Sequence, residues 1–440
     1  MSTTLSTKLK SLSTFKPKSV QETNFFHLYW DIAWFGIAFG STLSFLPVFA
    51  TRLGAAGWQL GLLTAGPALI GILFTLPAGH WLESRPLGRA VTQTAFWHRV
   101  GFFLLIPLPL IMPMSFQVWA VLALMLLMAI PGTALMVGFN ALLATAVPPE
   151  ARGKVVGRRN ALLAATVMIT FLLSGWILDQ LPFAWGYATV FIMGAAGSAL
   201  STFHLARIRL PETPQFQGRP LKDMAQPGRG VGFVGGMSFR QGIGLRLWLN
   251  RQFNPAKILE PISAPYGWVM VAFFLFHFSQ WLPSAVFSMF WVREAHLTDG
   301  QISWVNAAFY LTILVVSPLL EPLTKRLGNY RLTIGGTMLM AFYPLLVAIS
   351  YHLIWYILGS VYIGVVWAIL SGSLVNRLLE LIPEEHRPAH LAVYNLALNI
   401  AILLSTMLGP YLADIVGLRE ALVITCILRL VSGLALTRWG

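Results

Sequence analysis

The chain has 440 residues, of which 56% are hydrophobic and only 10% are charged, and its mean hydropathy is +0.70. A water-soluble domain carries roughly 25% charged residues, so this composition excludes an ordinary soluble enzyme or binding module. The net charge of +14 would suit a nucleic-acid-binding protein, and the positions of the charges along the chain decide that question.

Long apolar runs follow one another along almost the whole sequence, and each is long enough to cross a ~30 Å hydrocarbon core. Backbone polar groups in lipid must be bonded within the segment, so each run predicts a helix. The predicted fold class is therefore an all-α integral membrane protein. Its twelve predicted spans are 25–50, 57–80, 90–113, 117–146, 160–179, 184–206, 263–291, 300–322, 333–351, 353–378, 391–413 and 420–437.

Several polar residues occur twice at one fixed offset. Pro148, Glu150, Arg152, Asn160 and Asp179 recur 235 positions later as Pro383, Glu385, Arg387, Asn395 and Asp414. A membrane chain whose halves repeat in parallel indicates two bundles facing each other across a central site. We therefore predict a tail at 1–24, a six-helix bundle at 25–206, a linker at 207–262 and a second, pseudo-symmetric six-helix bundle at 263–440.

The basic residues follow a membrane topology pattern. With the N-terminus inside the cell, all but five of the 30 Lys and Arg residues fall on the cytoplasmic side. The exceptions are Arg52, Arg293 and Arg419 on the outside and Arg99 and Arg429 within spans. This positive-inside bias predicts that both termini are cytoplasmic, and it indicates a lipid bilayer rather than nucleic acid as the partner.

Catalytic and metal-binding patterns are missing from the sequence. There is one cysteine, Cys426, and the nine histidines are scattered. A glycine-rich stretch at 228–236 follows no predicted strand, so we interpret it as flexible linker rather than as a phosphate-binding turn. We expect no enzyme activity, no cofactor and no metal site, and we expect a monomer.

The loop between the second and third spans carries a recognisable motif. It contains Gly79, Glu83, Arg85, Gly88 and Arg89. With twelve spans in two halves, cytoplasmic termini and a long central loop, the chain resembles the major facilitator superfamily. The motif departs from the family pattern, because Glu83 replaces the usual Asp and the later Gly-Arg pair is displaced by two. The resemblance implies that this loop is a latch at a cytoplasmic gate.

Two further family patterns are absent. Proton-coupled members often carry an arginine in the fourth helix, and the fourth span at 117–146 has no charge. The glycine-rich pattern of the fifth helix in antiporters is reduced to Ser174-Gly175 and, in the repeat, Gly409-Pro410. Proton coupling and export are therefore not supported by motif.

Ionisable residues inside the membrane are expensive and are candidates for function. Asp31 lies in the first span between Trp30 and Trp34, and Arg99 lies in the third beside His98. Asp31, Trp34, His98 and Arg99 are candidates for the lining of a substrate or coupling cavity. One interpretation makes Asp31 a proton or cation site, or a switching partner of Arg99. The alternative is a structural ion pair, or side chains that extend to the interface.

Polar side chains in the second half suggest a cavity lining. His277, Gln280, Trp281, Ser284 and Ser288 share one helical face of the seventh span. That face either contacts a solute or bonds neighbouring helices. The other candidates for the lining are Asn306, Tyr310, Asn395 and Asn399.

The repeated acid–base pairs are candidates for a gate. Glu150 with Arg152 and Glu385 with Arg387 fall in equivalent predicted cytoplasmic loops. We expect acid and base to meet across the halves in the outward-open state, although a solvated pair worth under about 1 kcal/mol is the simpler alternative. With Gly79, Glu83 and Arg89 they complete the predicted cytoplasmic gate. Asp179 and Asp414 mark the outer ends of their helices and are interpreted as helix-terminal residues.

These features predict a secondary active transporter of a small organic solute in the cytoplasmic (inner) membrane of a bacterium. It would work by rocker-switch alternating access, and H⁺ is a candidate coupling ion. Two alternatives stay open: an uncoupled facilitator of the same fold, and a non-transporting assembly or pigment-complex factor built on that fold.

Overall fold

The computed structural model describes residues 19–210, 266–382 and 387–440, and its regular structure in these ranges is helical. The first half contains α1 Val20–Arg52, α2 Gly57–Glu83, α3 Leu87–Leu105, α4 Met114–Ala146, α5 Pro149–Gln180 and α6 Phe183–Leu205. The second half contains α7 Tyr266–Glu294, α8 at 299–327, α9 at 329–349, α10 Leu353–Leu381, α11 Arg387–Val416 and α12 Leu418–Trp439.

Eleven continuous helical stretches in the described ranges are long and apolar enough to cross a membrane. One of them, Asp299–Ile349, contains two crossings, because Gly328 adopts φ 77° and divides α8 from α9. Glycine accepts this backbone conformation without the steric cost that other residues meet. The predicted twelve-helix, multi-pass membrane fold is confirmed. The predicted domain boundaries stay predictions, and most of the linker (211–265) lies outside the described residues.

Several helices extend beyond the apolar runs from which they were predicted. α5 begins at Pro149, eleven positions before the predicted start at 160, and only Val147 and Pro148 separate it from α4. Proline is well tolerated in the first helical turn, where its missing N–H is not needed. A hydropathy pattern detects the lipid-facing part of a helix and misses a polar extension of the same helix. Glu150, Arg152 and Arg159 therefore belong to α5 and not to a loop.

α7 is not a single regular helix. It is α-helical over Tyr266–Trp281 and again over Ser284–Met289, and it ends in a π-helical turn at Phe290–Glu294. Pro283 causes the interruption, because it has no N–H to donate to the preceding turn. The single helical face predicted from His277 to Ser288 is therefore corrected, since it ends at Trp281.

We call the end at which α1 begins and α12 ends the terminal end, and the opposite end the distal end. Between the halves, α5 packs on α8 and α2 packs on α11. At the distal end one apolar core includes Phe49 and Tyr187 of the first half with Phe290 and Ile302 of the second. At the terminal end the first half has a core of its own around Leu28, and the core of the second half around Leu378 includes one first-half residue, Ala68 of α2. The halves are therefore joined most firmly at the distal end.

Candidate functional site

Asp31 lies in a buried polar cluster inside the first bundle. Its Oδ2 is 3.2 Å from the guanidinium of Arg159 on α5, and its Oδ1 accepts a 2.6 Å hydrogen bond from the hydroxyl of Ser201 on α6. Asp31 is 3% exposed and Arg159 is 6% exposed. A buried carboxylate is tolerated when it is paired and hydrogen-bonded in this way. Asp31 thus ties three helices together.

Arg99 of α3 completes the cluster. Its guanidinium donates to the hydroxyls of Thr202 at 2.7 Å and Ser201 at 2.8 Å, and it lies 3.9 Å from Asp31. The structure therefore brings the predicted partners Asp31 and Arg99 together, with Ser201 bonded to both. The cluster contains two guanidinium groups and one carboxylate, and all these residues belong to the first half.

Arg159 is the charged member of this cluster that the sequence analysis missed, together with the hydroxyls of Ser201 and Thr202. Besides Asp31, it donates to the carbonyl of Leu28 at 2.5 Å and lies 4.8 Å from the ring centre of Phe139 on α4. A signal was present in the sequence, because Arg159 stands midway between Val155 and Leu163 at a spacing of four residues. That spacing puts all three on one helical face, and all three are buried.

His98 and Trp34 lie near the cluster but bond elsewhere. His98 Nδ1 is 2.9 Å from the carbonyl oxygen of Met128 on α4. Trp34 stacks on Trp30 with ring centres 6.1 Å apart, and Trp30 in turn stacks on His204 of α6. His98 is therefore turned toward α4, whereas the ring contact of Trp34 is with a residue of its own helix.

The α7 candidates surround the helix interruption. His277 Nε2 is 2.8 Å from the hydroxyl of Tyr394 on α11, and both residues are buried. Arg429 of α12 donates to the carbonyls of Ser279 and Gln280, each at 3.3 Å. These carbonyls belong to the last turn before Pro283, where carbonyl groups have no N–H of the same helix to accept from. Arg429 therefore satisfies the end of the broken helix, and Gln280 and Trp281 stand at that end, half-buried.

The predicted asparagines each bond the backbone of their own helix. Asn306 donates to Ile302, Asn395 to Leu391 and Asn399 to Asn395, at 2.8 to 2.9 Å. The amide oxygen of Asn395 is buried and has no hydrogen-bond partner among the described residues. The amide groups of these side chains thus keep acceptor capacity that the helices do not use.

Tyr310 lies where the two halves meet. Its ring centre is 5.7 Å from that of Phe171 on α5 and 6.4 Å from that of Phe39 on α1. Asn306 lies one turn before it on α8. This part of α8 therefore faces the first half.

The predicted gate residues lie at the terminal end. Arg152 donates to the carbonyls of Ala144 at 2.7 Å and Val147 at 3.2 Å, so it caps the end of α4. Glu150 and Arg89 are exposed, whereas Gly79 is buried in α2. Glu385 and the side chains of Glu83 and Arg387 lie outside the described part of the chain. The gate itself therefore stays a prediction.

Among the described residues, no group of three or more His, Cys, Asp or Glu side chains is placed to hold a metal ion. The polar groups inside the halves are ion pairs, hydroxyls and amides. Groups of this kind can bind a solute or hold helices together.

Solved structures share this architecture at low sequence identity. A D-xylose–proton symporter matches with a TM-score of 0.69 and 14% identity, covering 96% of this chain and 98% of that one. The xylose transporter XylE from E. coli, in a partially occluded inward-open conformation, matches with a TM-score of 0.65, 14% identity and the same coverage. The nucleoside transporter NupG matches with a TM-score of 0.65 and 12% identity, covering 94% of this chain and 99% of that one.

At these identities the likeness to solved structures establishes the fold alone. Among curated proteins, none matches the sequence significantly. The family model described as Major Facilitator Superfamily matches residues 23–261 and 269–439, which span both halves. A match of this extent, on a fold of two repeated six-helix bundles, makes the chain a member of the major facilitator superfamily.

Proposed function

We propose that the protein is a secondary active transporter that moves a small organic solute by alternating access between its two halves. The observation that carries this proposal is the unequal packing of the two ends. One large apolar core spans both halves at the distal end. Toward the terminal end, the core around Leu28 belongs to the first half alone, and the core around Leu378 belongs to the second half except for Ala68 of α2. Two rigid bundles joined firmly at one end are the arrangement that rocker-switch transport requires.

The positive-inside bias of the sequence supports an orientation for this state. With both termini in the cytoplasm, the distal end faces outward and the described conformation is the inward-facing one. A bacterial inner membrane fits the same distribution of charge. The predicted gate at the terminal end would then close in the opposite state, when Glu150 and Arg152 approach the second half.

The solute we propose is uncharged and polar, or amphipathic. The guanidinium of Arg99 is bonded to Ser201 and Thr202 and lies beside Asp31, so an anionic solute gains little from its charge. Amides at Gln280, Asn306 and Asn395, with nearby aromatic rings, suit a neutral solute rich in hydrogen-bonding groups. The solved xylose and nucleoside transporters carry solutes of this general kind.

Proton coupling is the finer part of the proposal. Asp31 and His277 are titratable residues of the predicted cavity lining, and each has a bonded partner, Arg159 and Tyr394 respectively. A carboxylate or imidazole whose partner changes between conformations can exchange a proton during the cycle. An uncoupled facilitator would transport equally well without a pH gradient.

The first experiment is thermal unfolding of the purified full chain against a library of sugars, nucleosides and organic anions. A ligand at 100 times its Kd stabilises the protein by about 2.7 kcal/mol. We expect a neutral polar hit whose effect weakens in Asn395→Ala and persists in Gln180→Ala, an exposed amide at the distal end.

Liposome uptake of that hit, with and without a pH gradient, then tests transport and coupling. Absence of uptake under every gradient, in protein that remains folded and monodisperse, contradicts the transport proposal. It would favour the non-transporting assembly factor instead.

A further inference from the structure

We propose that the distal end is held shut by a polar clasp that is built twice, once on each side of the interface between the halves, and that its α5–α8 side is the stronger. The distal clasp consists of Arg52, Asp179, Arg293, Asp299 and Asp414, with Tyr187 bonded to Asp299. The inference rests on the proposed alternating access, because a clasp has a function only if the distal end opens.

The α5–α8 side joins a carboxylate to the start of a helix in the other half. Asp179, near the end of α5, accepts hydrogen bonds from the Gly300 N–H and the Thr298 hydroxyl, each at 3.0 Å. The first N–H groups of a helix have no intrahelical partners, and a negative charge there is stabilised by the helix dipole. Asp179 of the first half therefore caps α8 of the second half.

The α2–α11 side places an aspartate at the equivalent position with the halves exchanged. Asp414, near the end of α11, is the repeat partner of Asp179. A Cβ placed on Gly57, the first residue of α2, would lie 2.9 Å from Asp414 Oδ2. A carboxylate of the second half thus approaches the start of a helix in the first half. An aspartate therefore stands at the equivalent position of each repeat and approaches the other half.

Two arginines cross the interface in opposite directions. Arg52, at the end of α1, donates to the Leu297 carbonyl at 2.5 Å, just after α7. Arg293, at the end of α7, donates to the Ala55 carbonyl, just after α1. Each arginine therefore binds the loop that follows the other one's helix. Separating the halves at this end breaks both bonds together with the two aspartate contacts.

The clasp is unequal because α8 begins at Thr298 and Asp299, whereas α2 begins at Ala56 and Gly57. Asp299 on the α8 side pairs with Arg52 at 3.0 Å and accepts a 3.0 Å hydrogen bond from Tyr187 of α6. In the first half, the residue at the start of α2 is Gly57, which offers no such carboxylate. The α5–α8 side therefore has an extra ion pair and hydrogen bond, both largely shielded from water. Bonds to charged groups in such sites are stronger than neutral ones.

Spin-label distances in the full chain test the clasp without any solute. In a Cys426→Ser background, Trp185→Cys with His352→Cys reports the distal separation of the halves, and Ser84→Cys with Leu327→Cys reports the terminal separation. All four positions are surface sites at the stated ends. We expect Asp179→Asn to raise the ratio of long to short distal distances by about threefold, because the amide keeps an acceptor for the Gly300 N–H but loses the charge that the α8 dipole stabilises. Asp414→Asn should raise it less, and the terminal distances should shorten in both.

The matched control is Glu420→Gln, which removes an exposed carboxylate at the same end whose neighbour, Gly417, is in its own half. Unchanged distances in the Asp179→Asn variant, or a larger effect for Asp414→Asn, overturn the proposal. If the long distance is too rare to detect, the reaction rate of Ser303→Cys with a maleimide replaces it. Ser303 is fully buried against Gly175 of α5, so its reaction reports separation of α5 from α8.

This test separates the clasp from the proposed function. If the protein transports solute but its distal distances do not change in Asp179→Asn, the transport proposal stands and the clasp is contradicted. If the distal end opens in the variants but the protein moves no solute, the clasp is supported and the transport proposal is contradicted.

Discussion

Arg159 and Asp31 form a 3.2 Å ion pair that joins α5 to α1 inside the first bundle. Both side chains are almost completely buried, and Arg99 lies on the other side of the same carboxylate. A buried pair of this kind adds little net stability compared with apolar residues of the same shape, but removing one partner exposes the other to an uncompensated environment. This asymmetry gives two quantitative expectations.

Arg159→Met should lower the free energy of unfolding by about 3 kcal/mol, because Asp31 loses its shorter ion pair. The adjacent Arg158 is exposed, so Arg158→Met should change stability by less than about 0.5 kcal/mol. Chemical denaturation of both variants in detergent measures the difference. Equal effects would mean that Arg159 is a surface residue in the membrane-embedded protein.

Asp31→Asn should destabilise the first bundle more than Arg159→Met does, because it leaves two guanidinium groups without a counter-charge. In the double variant Asp31→Asn/Arg159→Met the loss should be smaller than the sum of the single losses. A coupling of about 1–3 kcal/mol is typical for residues in direct contact. A double-mutant cycle measures it, and additive effects would contradict the contact.

Arg429→Met should destabilise the second bundle by about 3 kcal/mol, because the carbonyls of Ser279, Gln280 and Met340 lose a buried charged donor. Arg438→Met, in an exposed position of the same helix, is the control and should be close to neutral. Unfolding in detergent distinguishes them. The Met variant should also loosen α7 near Pro283, which increased hydrogen exchange at residues 279–284 would report.

Gly175→Ala should weaken the contact between α5 and α8, because a Cβ at this position would overlap the Ser303 side chain. Gly157 is also in α5 but a Cβ there meets nothing within 4 Å, so Gly157→Ala should be neutral or stabilising by up to about 1 kcal/mol. Thermal unfolding of the pair tests this. A stabilising Gly175→Ala would show that the two helices do not approach as described.

The Glu150→Gln variant distinguishes a gating role of the repeated acid–base pair from a helix-capping role. Arg152 is bonded to the end of α4, whereas Glu150 is exposed, so the Glu150 variant should leave the unfolding temperature unchanged. If Glu150 acts in a gate at the terminal end, transport should still fall several-fold. Intact transport in Glu150→Gln would assign the repeated acid–base pair to capping alone.

The fold was predictable because lipid leaves so few choices. Long apolar runs in lipid must be helices. The recurrence of Asp179 as Asp414 indicates two repeated halves from the sequence alone. Pro283 is itself a signal for a helix interruption, but the regular spacing of the polar residues around it favoured an unbroken helix. The spacing of the polar residues predicted a continuous helix, whereas Pro283 predicted a break. The helix is broken because Pro283 has no backbone N–H to donate.

The candidate site was predictable only in part. Asp31 and Arg99 stood out because charges are rare inside apolar runs, and they do lie together. Arg159 did not stand out, because it precedes its apolar run and resembles a loop cation. Asp179 and Asp299 were harder still, since their partners come from the opposite half and only the packing of one bundle on the other brings them together. The residues that flank each aspartate in the sequence do not indicate which residue of the other half it contacts.

Gly61 determines how the two halves can separate. A Cβ on Gly61 of α2 would lie 2.6 Å from the carbonyl oxygen of Thr406 on α11, so main chain rests directly on main chain there. A contact between long side chains can loosen gradually as rotamers change, but two backbones in contact have no rotamer to change. α2 and α11 must therefore part as whole helices, and this interface behaves as an all-or-none mechanical element rather than as an elastic one.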